Sequence, residues 1–362
     1  MSIKTFKKLH WFLKFTTISV AVFIPVFFTY FISVRVLPDQ VLVNTEVYGF
    51  IIRNQIWQGT IKITGDLVTF PGTKVTILPG TEVIVSRRGD RFNLDYLPWH
   101  LKNGINTSEL FHGVDTSEPF WDEREKVQVR FSRLEVIGTR EQPVEITSDN
   151  FPGSPYDINL IKIRAGNFNF VNFSNYRRLE AGGKVNISNS SFRNTGVCSI
   201  CISFGEPQIY KNTFQGSVKS YLWVGLASPK ISENNFSESS GDGIVYSGDN
   251  TTNLIVVGNT FSMPGSKAIK VIPVDEGGVV SGNFLAAGDV ELPCNSKVAM
   301  KQNYIRSNVV FTTQGGCSGN YIFEPNFWEI LNPKEVLESR IVGKTPDFNV
   351  QIPYVLPKSP IN

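Results

Sequence analysis

Histidine is nearly missing from this chain: three of 362 residues, none of them after His112. Everything beyond that point lacks the one side chain that titrates near neutrality unaided, so imidazole base chemistry is excluded there. Acidic residues are absent from positions 1–34. The remainder has no strong charge of either sign: 35 basic and 32 acidic residues give +3, and setting aside Lys4, Lys7, Lys8 and Lys14 leaves 31 − 32 = −1. That balance carries no nucleic-acid footprint. Also missing are the Leu ladder of leucine-rich repeats and a period of roughly 33 to 47 residues, which removes the helical solenoids.

What the N-terminal stretch has is apolar length. Phe15 to Val34 runs 20 residues without a charge, enough to cross a bilayer. Lysines on its N-terminal side orient that end to the cytoplasm, so the chain after Arg35 is expected to be exported. The uncharged core is long and no good Ala-x-Ala precedes Arg35, which favours an uncleaved signal anchor over a cleaved signal peptide. The expected location is a cell membrane, crossed once, with the N-terminus cytoplasmic and the body extracytoplasmic.

The body repeats a short phrase: an aliphatic residue, a few polar ones, Asn, then an aromatic. It appears as VNISNSSF ending at Phe192, QIYKNTF at Phe214, KISENNF at Phe236, VVGNTF at Phe261, VVSGNF at Phe284, MKQNY at Tyr304 and SGNY at Tyr321, with VNF at Phe173 as a weaker copy. From Phe173 the aromatic-to-aromatic steps are 19, 22, 22, 25, 23, 20 and 17 residues. A near-fixed period of that size marks stacked repeats. Within each unit apolar residues alternate as Ile-x-Val or Val-x-Phe, and Gly, Asn, Ser and Asp interrupt them, which is strand chemistry with turn punctuation. One unit suffices for three short strands and three turns, and stacking places equivalent strands about 4.8 Å apart. The pattern predicts an all-β fold, a parallel β-helix.

The repeated Asn has a mechanical use in that geometry. It tolerates left-handed backbone angles at a sharp turn, and its amide both donates and accepts. Asn212, Asn234, Asn259, Asn283, Asn303 and Asn320 are therefore expected to bond lap to lap as a ladder, with the following aromatics stacked. Asn stands two residues before Phe214, Phe236 and Phe261 but one before Phe284, Tyr304 and Tyr321, which predicts a one-residue slip or bulge in some laps.

From Trp57 the chain reads WQGTIKITGDLVTFPGTKVTILPGTEVIV, and the phrase returns as LEVIGTREQPVEITS at 134–148. Here it resembles the right-handed parallel β-helix proteins of the pectate-lyase-like superfold. It is most similar to bacterial membrane-anchored surface proteins that open with W-x-G-x-I-x-I-x-G-D and P-G-T-x-x-x-I-x-P-G-T. The resemblance covers Trp57 to the C-terminus. It implies a right-handed solenoid, placed at 57–325; ahead of it the residues read as an anchor at 1–34 and a linker with an entry strand at 35–56. A cap and tail at 326–362 would follow, built from Asn326-Phe327-Trp328, a short helix opening at Asn332-Pro333 and the extended FNVQIPYVLP. Activity is poorly constrained, because many activities share this scaffold.

An insertion at 87–126 interrupts the early laps. Its Tyr96, Trp99, His100 and Trp121 suit stacking on sugar faces or docking a partner; the alternative is a loop folded back over the coil flank. The polysaccharide-cleaving members of the superfold work with paired carboxylates, or with calcium held by acids beside an Arg or Lys base. The Asn-Thr-Asp, Asp-Asp and Gly-His-Gly phrases of the hydrolases do not occur. The densest acidic run is ESSGDGIVYSGDN, with Glu238, Asp242 and Asp249. Asp242 and Asp249 are ligand candidates, although GDG and GDN are also ordinary turn sequences. Arg164, Arg177 and Arg178 lie near Glu180 as basic candidates. No catalytic set, metal site or cofactor is assigned.

Cys294 and Cys317 are 23 residues apart, about one lap, so a disulfide between neighbouring laps is expected. Cys198 and Cys201 form a CxxC. Fully extended, they would sit about 10 Å apart, and only a turn brings them together. These features describe a membrane-anchored, non-catalytic protein that binds cell-envelope or extracellular glycan, or a surface partner protein. The alternative is a polysaccharide lyase, hydrolase or epimerase on the same scaffold.

Overall fold

The alternating aliphatic runs form strands, and each strand lies parallel to its equivalent one lap away. The computed structural model describes residues 37–86, 127–149, 160–217, 219–238, 240–248, 252–272, 277–293, 297–313, 319–322, 324–329, 341–342 and 348–351. The anchor segment, the 87–126 insertion, Asp249, Cys294, Cys317 and the helix expected after Asn332 lie outside them. Among the described residues the regular elements are β-strands, and no helix is long and apolar enough to cross a membrane.

Each lap visits three flanks in turn. The first flank stacks Lys74–Ile77, Arg133–Ile137, Gln208–Tyr210, Lys230–Ser232, Asn253–Val257, Gly277–Ser281 and Lys297–Lys301. The second holds Glu82–Val85, Val144–Ser148, Thr213–Ser217 and Asn235–Ser237; the third holds Gln128–Phe131, Ser220–Ala227, Asp242–Tyr246 and Phe311–Thr313. Longer strands such as Gln55–Thr69 and Val171–Ser188 run round the corners. Pairing is parallel throughout, as where Gln208–Tyr210 lies between Asn186–Ser188 and Lys230–Ser232. The chain is an all-β parallel β-helix.

The winding extends further at both ends than the repeats implied. Gln40–Ile51, expected to be linker and entry strand, is a lap of its own and pairs with Gln55–Thr69 along its length. Parallel pairing also continues past Tyr321. Phe327–Trp328 pairs with Tyr304–Ile305, Ile341–Val342 with Phe311–Thr313, and Phe348–Gln351 with Gly319–Ile322. A lap needs only a few apolar residues facing inward, so it persists where the Asn-aromatic phrase has ended.

The phrase itself sits at the corner between the first and second flanks. Asn212, Asn234, Asn259, Asn283 and Asn303 are buried, and each passes its amide to the next rung's Oδ1 at 2.9–3.0 Å. The sixth rung is Asn326. Asn320 was expected there, but it stands on a strand and pairs with Asn349. The left-handed angle falls on the residue before each Asn: Lys211 (φ 54°), Glu233 (φ 55°), Gly258 (φ 67°), Gly282 (φ 62°) and Gln302 (φ 55°).

The expected slip is there: from Phe261–Leu285 to Ser262–Ala287 the register shifts by one residue. The Asn rungs keep register and the aromatic changes face. Phe173, Phe192, Phe214, Phe236 and Phe261 stack inside with centroids 4.8–5.0 Å apart. In the next lap Leu285 pairs with Phe261 and continues inward, while Phe284 pairs with Thr260 on the outer row. Ile305 and Trp328 follow Leu285 into the core. Phe284, Tyr304 and Phe327 form a half-buried outer row instead, Phe284 edge-on to Tyr304 and Tyr304 stacked on Phe327. Because strand side chains alternate, a one-residue change in Asn-to-aromatic spacing turns the ring out.

Candidate functional site

Two of the gaps between described stretches open at one corner of the solenoid. The insertion at 87–126 leaves the second flank after Ser86 and rejoins the third at Val127; the segment 150–159 leaves after Asp149 and rejoins at Leu160. Their departure points are neighbours, since Ser86 Oγ donates to Asp149 Oδ2 at 2.5 Å. The chain resumes on the third flank after both. Functional groups on repeat scaffolds concentrate where loops gather beside a rigid sheet.

One outward row of that flank runs Glu180, Cys201, Trp223, Val245, Lys270, Glu291 and Thr312 from lap to lap. Its upper part is closed off from solvent. Arg178 Nε lies 3.1 Å from Glu180 Oε1, with side chains only 8% and 3% exposed. The neighbouring lap sets a disulfide against this ion pair. Cys198 and Cys201 are bonded to each other with Cα atoms 5.7 Å apart, opposite Arg178 and Glu180 respectively. Strand Ser191–Gly205 shifts register against Val171–Ser188 on both sides of Cys198. That bulge shortens the Cα separation from the extended value of about 10 Å. Tyr176 lies beneath, its hydroxyl donating to Ser199 O at 2.8 Å, and burial holds that phenol well above its usual pKa.

The lower part of the flank is open and charged. Lys267 Nζ lies 3.9 Å from Asp289 Oδ2 and 3.8 Å from Glu291 Oε2, and donates to Thr312 Oγ1 at 3.2 Å. Lys270 Nζ lies 3.7 Å from Glu291 Oε1. Asp242 is half-buried on the preceding lap. Burial raises its carboxyl above the usual range and Glu291 adds to this. The Lys270 charge, a hydrogen bond from the Lys267 backbone and the Lys267 charge oppose it. Successive laps thus place a carboxyl that resists ionisation beside two ammonium groups and two further carboxylates. Partly exposed pairs of this kind contribute about 0–1 kcal/mol each to stability, too little to explain the cluster as a fold determinant.

Of the residues singled out from sequence, Asp242 stands in this cluster; Tyr96, Trp99, His100, Trp121 and Asp249 lie outside the described residues. Lys267, Lys270, Asp289 and Glu291 escaped notice because they are far apart in the chain. Adding one lap at a time to Asp242 would have reached them. The outer row of rings was also missed. Tyr304 and Phe327 lie face to face at 4.5 Å, Phe284 meets Tyr304 edge-on at 5.1 Å, and Arg306 covers Phe284 at 5.5 Å.

Among the described residues no three His, Cys, Asp or Glu side chains converge on a metal position. An apolar void of about 10 Å³ between Trp57, Ile77 and Phe131 is too small for a ligand.

Architecture and flank define a parallel β-helix protein with a charged outer face. No protein-family model, no curated protein and no solved structure matches the chain. The pectate-lyase-like resemblance therefore extends to the parallel β-helix architecture alone.

Proposed function

We propose that this chain is a membrane-anchored extracytoplasmic β-helix protein that binds cell-envelope or extracellular glycan along its third flank. The Phe15–Val34 run and the lysines before it support the anchor. The observation that carries the binding reading is the Lys267 hub, which joins Asp289, Glu291 and Thr312 across adjacent laps. Sugars present vicinal hydroxyls that both donate and accept, and this face offers ammonium donors and carboxylate acceptors at lap spacing. The test is a glycan array probed with the full chain in detergent. Lys267→Ala and Glu291→Ala should each abolish the hits that the parent gives; unchanged hits would sink the reading.

A second reading rests on Asp242. A half-buried carboxyl with a raised pKa beside a second acidic side chain is the kind of pairing that acid–base cleavage of polysaccharides uses, which favours a lyase, hydrolase or epimerase as the alternative. New reducing ends or unsaturated uronates released from a polysaccharide panel, and lost in Asp242→Asn, would favour catalysis over binding.

A further inference from the structure

Among the described residues the first lap is the richest in exposed apolar side chains. Large apolar side chains exposed on the described residues are Leu37, Val41, Val43, Tyr48, Phe50, Ile52 and Phe70 at this end, and Ile137, Phe204, Tyr210, Leu226 and Val342 elsewhere. Seven of the twelve therefore fall within 37–70. They are not gathered on one flank. Val41 lies on the first flank and Val43 at its end, Tyr48 at the turn into the third flank, Phe50 on that flank and Ile52 just past it. Phe70 meets Phe50 edge-on at 5.7 Å. Together they make a band over the first and third flanks at one end of the solenoid, exposed by 39–57%, while the second flank of this lap carries Thr45 and Glu46.

A binding groove would put such residues on one side. A band confined to the first turn of the winding and spread over two flanks fits an end-on seat. The chain that leads into it says what the seat is. Only Arg35 and Val36 separate Val34, the last of the uncharged run, from Leu37, a reach of about 10 Å even when fully extended. If that run crosses a bilayer, the first lap is held within the headgroup layer. Amphipathic aromatic and aliphatic side chains gain there by entering the boundary with the acyl chains.

We infer that the first lap of the solenoid is seated in the headgroup region of the membrane, with Val41, Val43, Tyr48, Phe50 and Ile52 contacting lipid and the axis standing upright. The third flank then faces sideways, with its charged lower part held away from the bilayer. This rests on the anchor reading above.

The test uses the full chain in vesicles of phosphatidylethanolamine and phosphatidylglycerol, with the photocrosslinker p-benzoylphenylalanine in place of Tyr48 or Phe50, and in place of Phe204 or Tyr210 as controls. Val43 carries the probe if a variant does not fold. Illumination should give lipid adducts at 48 and 50 and none at 204 and 210. Vesicle flotation that survives alkaline washing, without lipid adducts at 48 or 50, overturns the seat and leaves the anchor standing. Adducts to a second copy of the chain replace the lipid with an end-to-end dimer. Failure to float removes the anchor, and the seat with it.

Discussion

Asn212 donates both its backbone N–H and its side-chain amide to Oδ1 of Asn234, at 2.9 and 3.0 Å. The rung also ties the laps on its other side, since Asn234 Nδ2 donates to Ile209 O and to Asn259 Oδ1, each at 2.9 Å. Asn234→Ala would leave two buried donors of Asn212 without acceptors. At about 1–3 kcal/mol per orphaned group, the expected loss is about 2–6 kcal/mol in chemical denaturation. The neighbouring Asn235 is exposed, and Asn235→Ala should cost no more than about 0.5 kcal/mol. Equal effects at 234 and 235 would refute the ladder.

The two aromatic rows should respond unequally. Phe236 is fully buried between Phe214 and Phe261, so Phe236→Ala should cost about 3–5 kcal/mol. Phe284 follows the same Asn phrase but lies on the outer row, half-buried. Phe284→Ala should cost about 1 kcal/mol. A reversed order would mean that the inner and outer rows are exchanged.

Asp242 gives the cluster a pH signature. Its carboxyl is raised by burial, so the folded chain holds that proton more tightly than the unfolded one. The resulting stabilisation is present below the unfolded carboxyl pKa of about 3.9 and is lost as pH rises through the folded value. Asp242→Asn removes this loss. The variant should melt above the parent at about pH 7, with the difference shrinking toward about pH 3. Melting curves that stay parallel across that range would contradict the assignment.

The Cys198–Cys201 bond closes a very short loop. Tryptic peptide Asn194–Lys211 holds both residues, and it should appear lighter by the two thiol hydrogens under non-reducing conditions. Replacing both by Ala should cost about 2 kcal/mol from loop closure and leave the parallel β-helix intact. A cross-link from either residue to Cys294 or Cys317 would disprove the local pairing.

Legibility followed the distance over which a signal acts. Period, strand chemistry and five of the six ladder rungs are readable locally, since each lap repeats its turn and its inward residues. The final rung is not. Asn320 and Asn326 both precede an aromatic, and only the length of the preceding lap decides which reaches the corner. Phe284 mimics Phe261 in the string and opposes it in space, because one residue of spacing exchanges inside for outside. The apolar band of the first lap was hidden for a related reason: nothing local distinguishes an entry strand from a lap until its partner is known.

By itself, then, the sequence determined that this chain winds in parallel β laps, carries an Asn spine and has one uncharged run long enough for a bilayer. Tertiary structure alone decided that Asp242 meets Lys267, Lys270 and Glu291, and that two cysteines three residues apart are bonded. The first depends on lap lengths adding up, and the second on a bulge set by the lap beneath. Such sums are fixed only when every intervening turn has taken its shape.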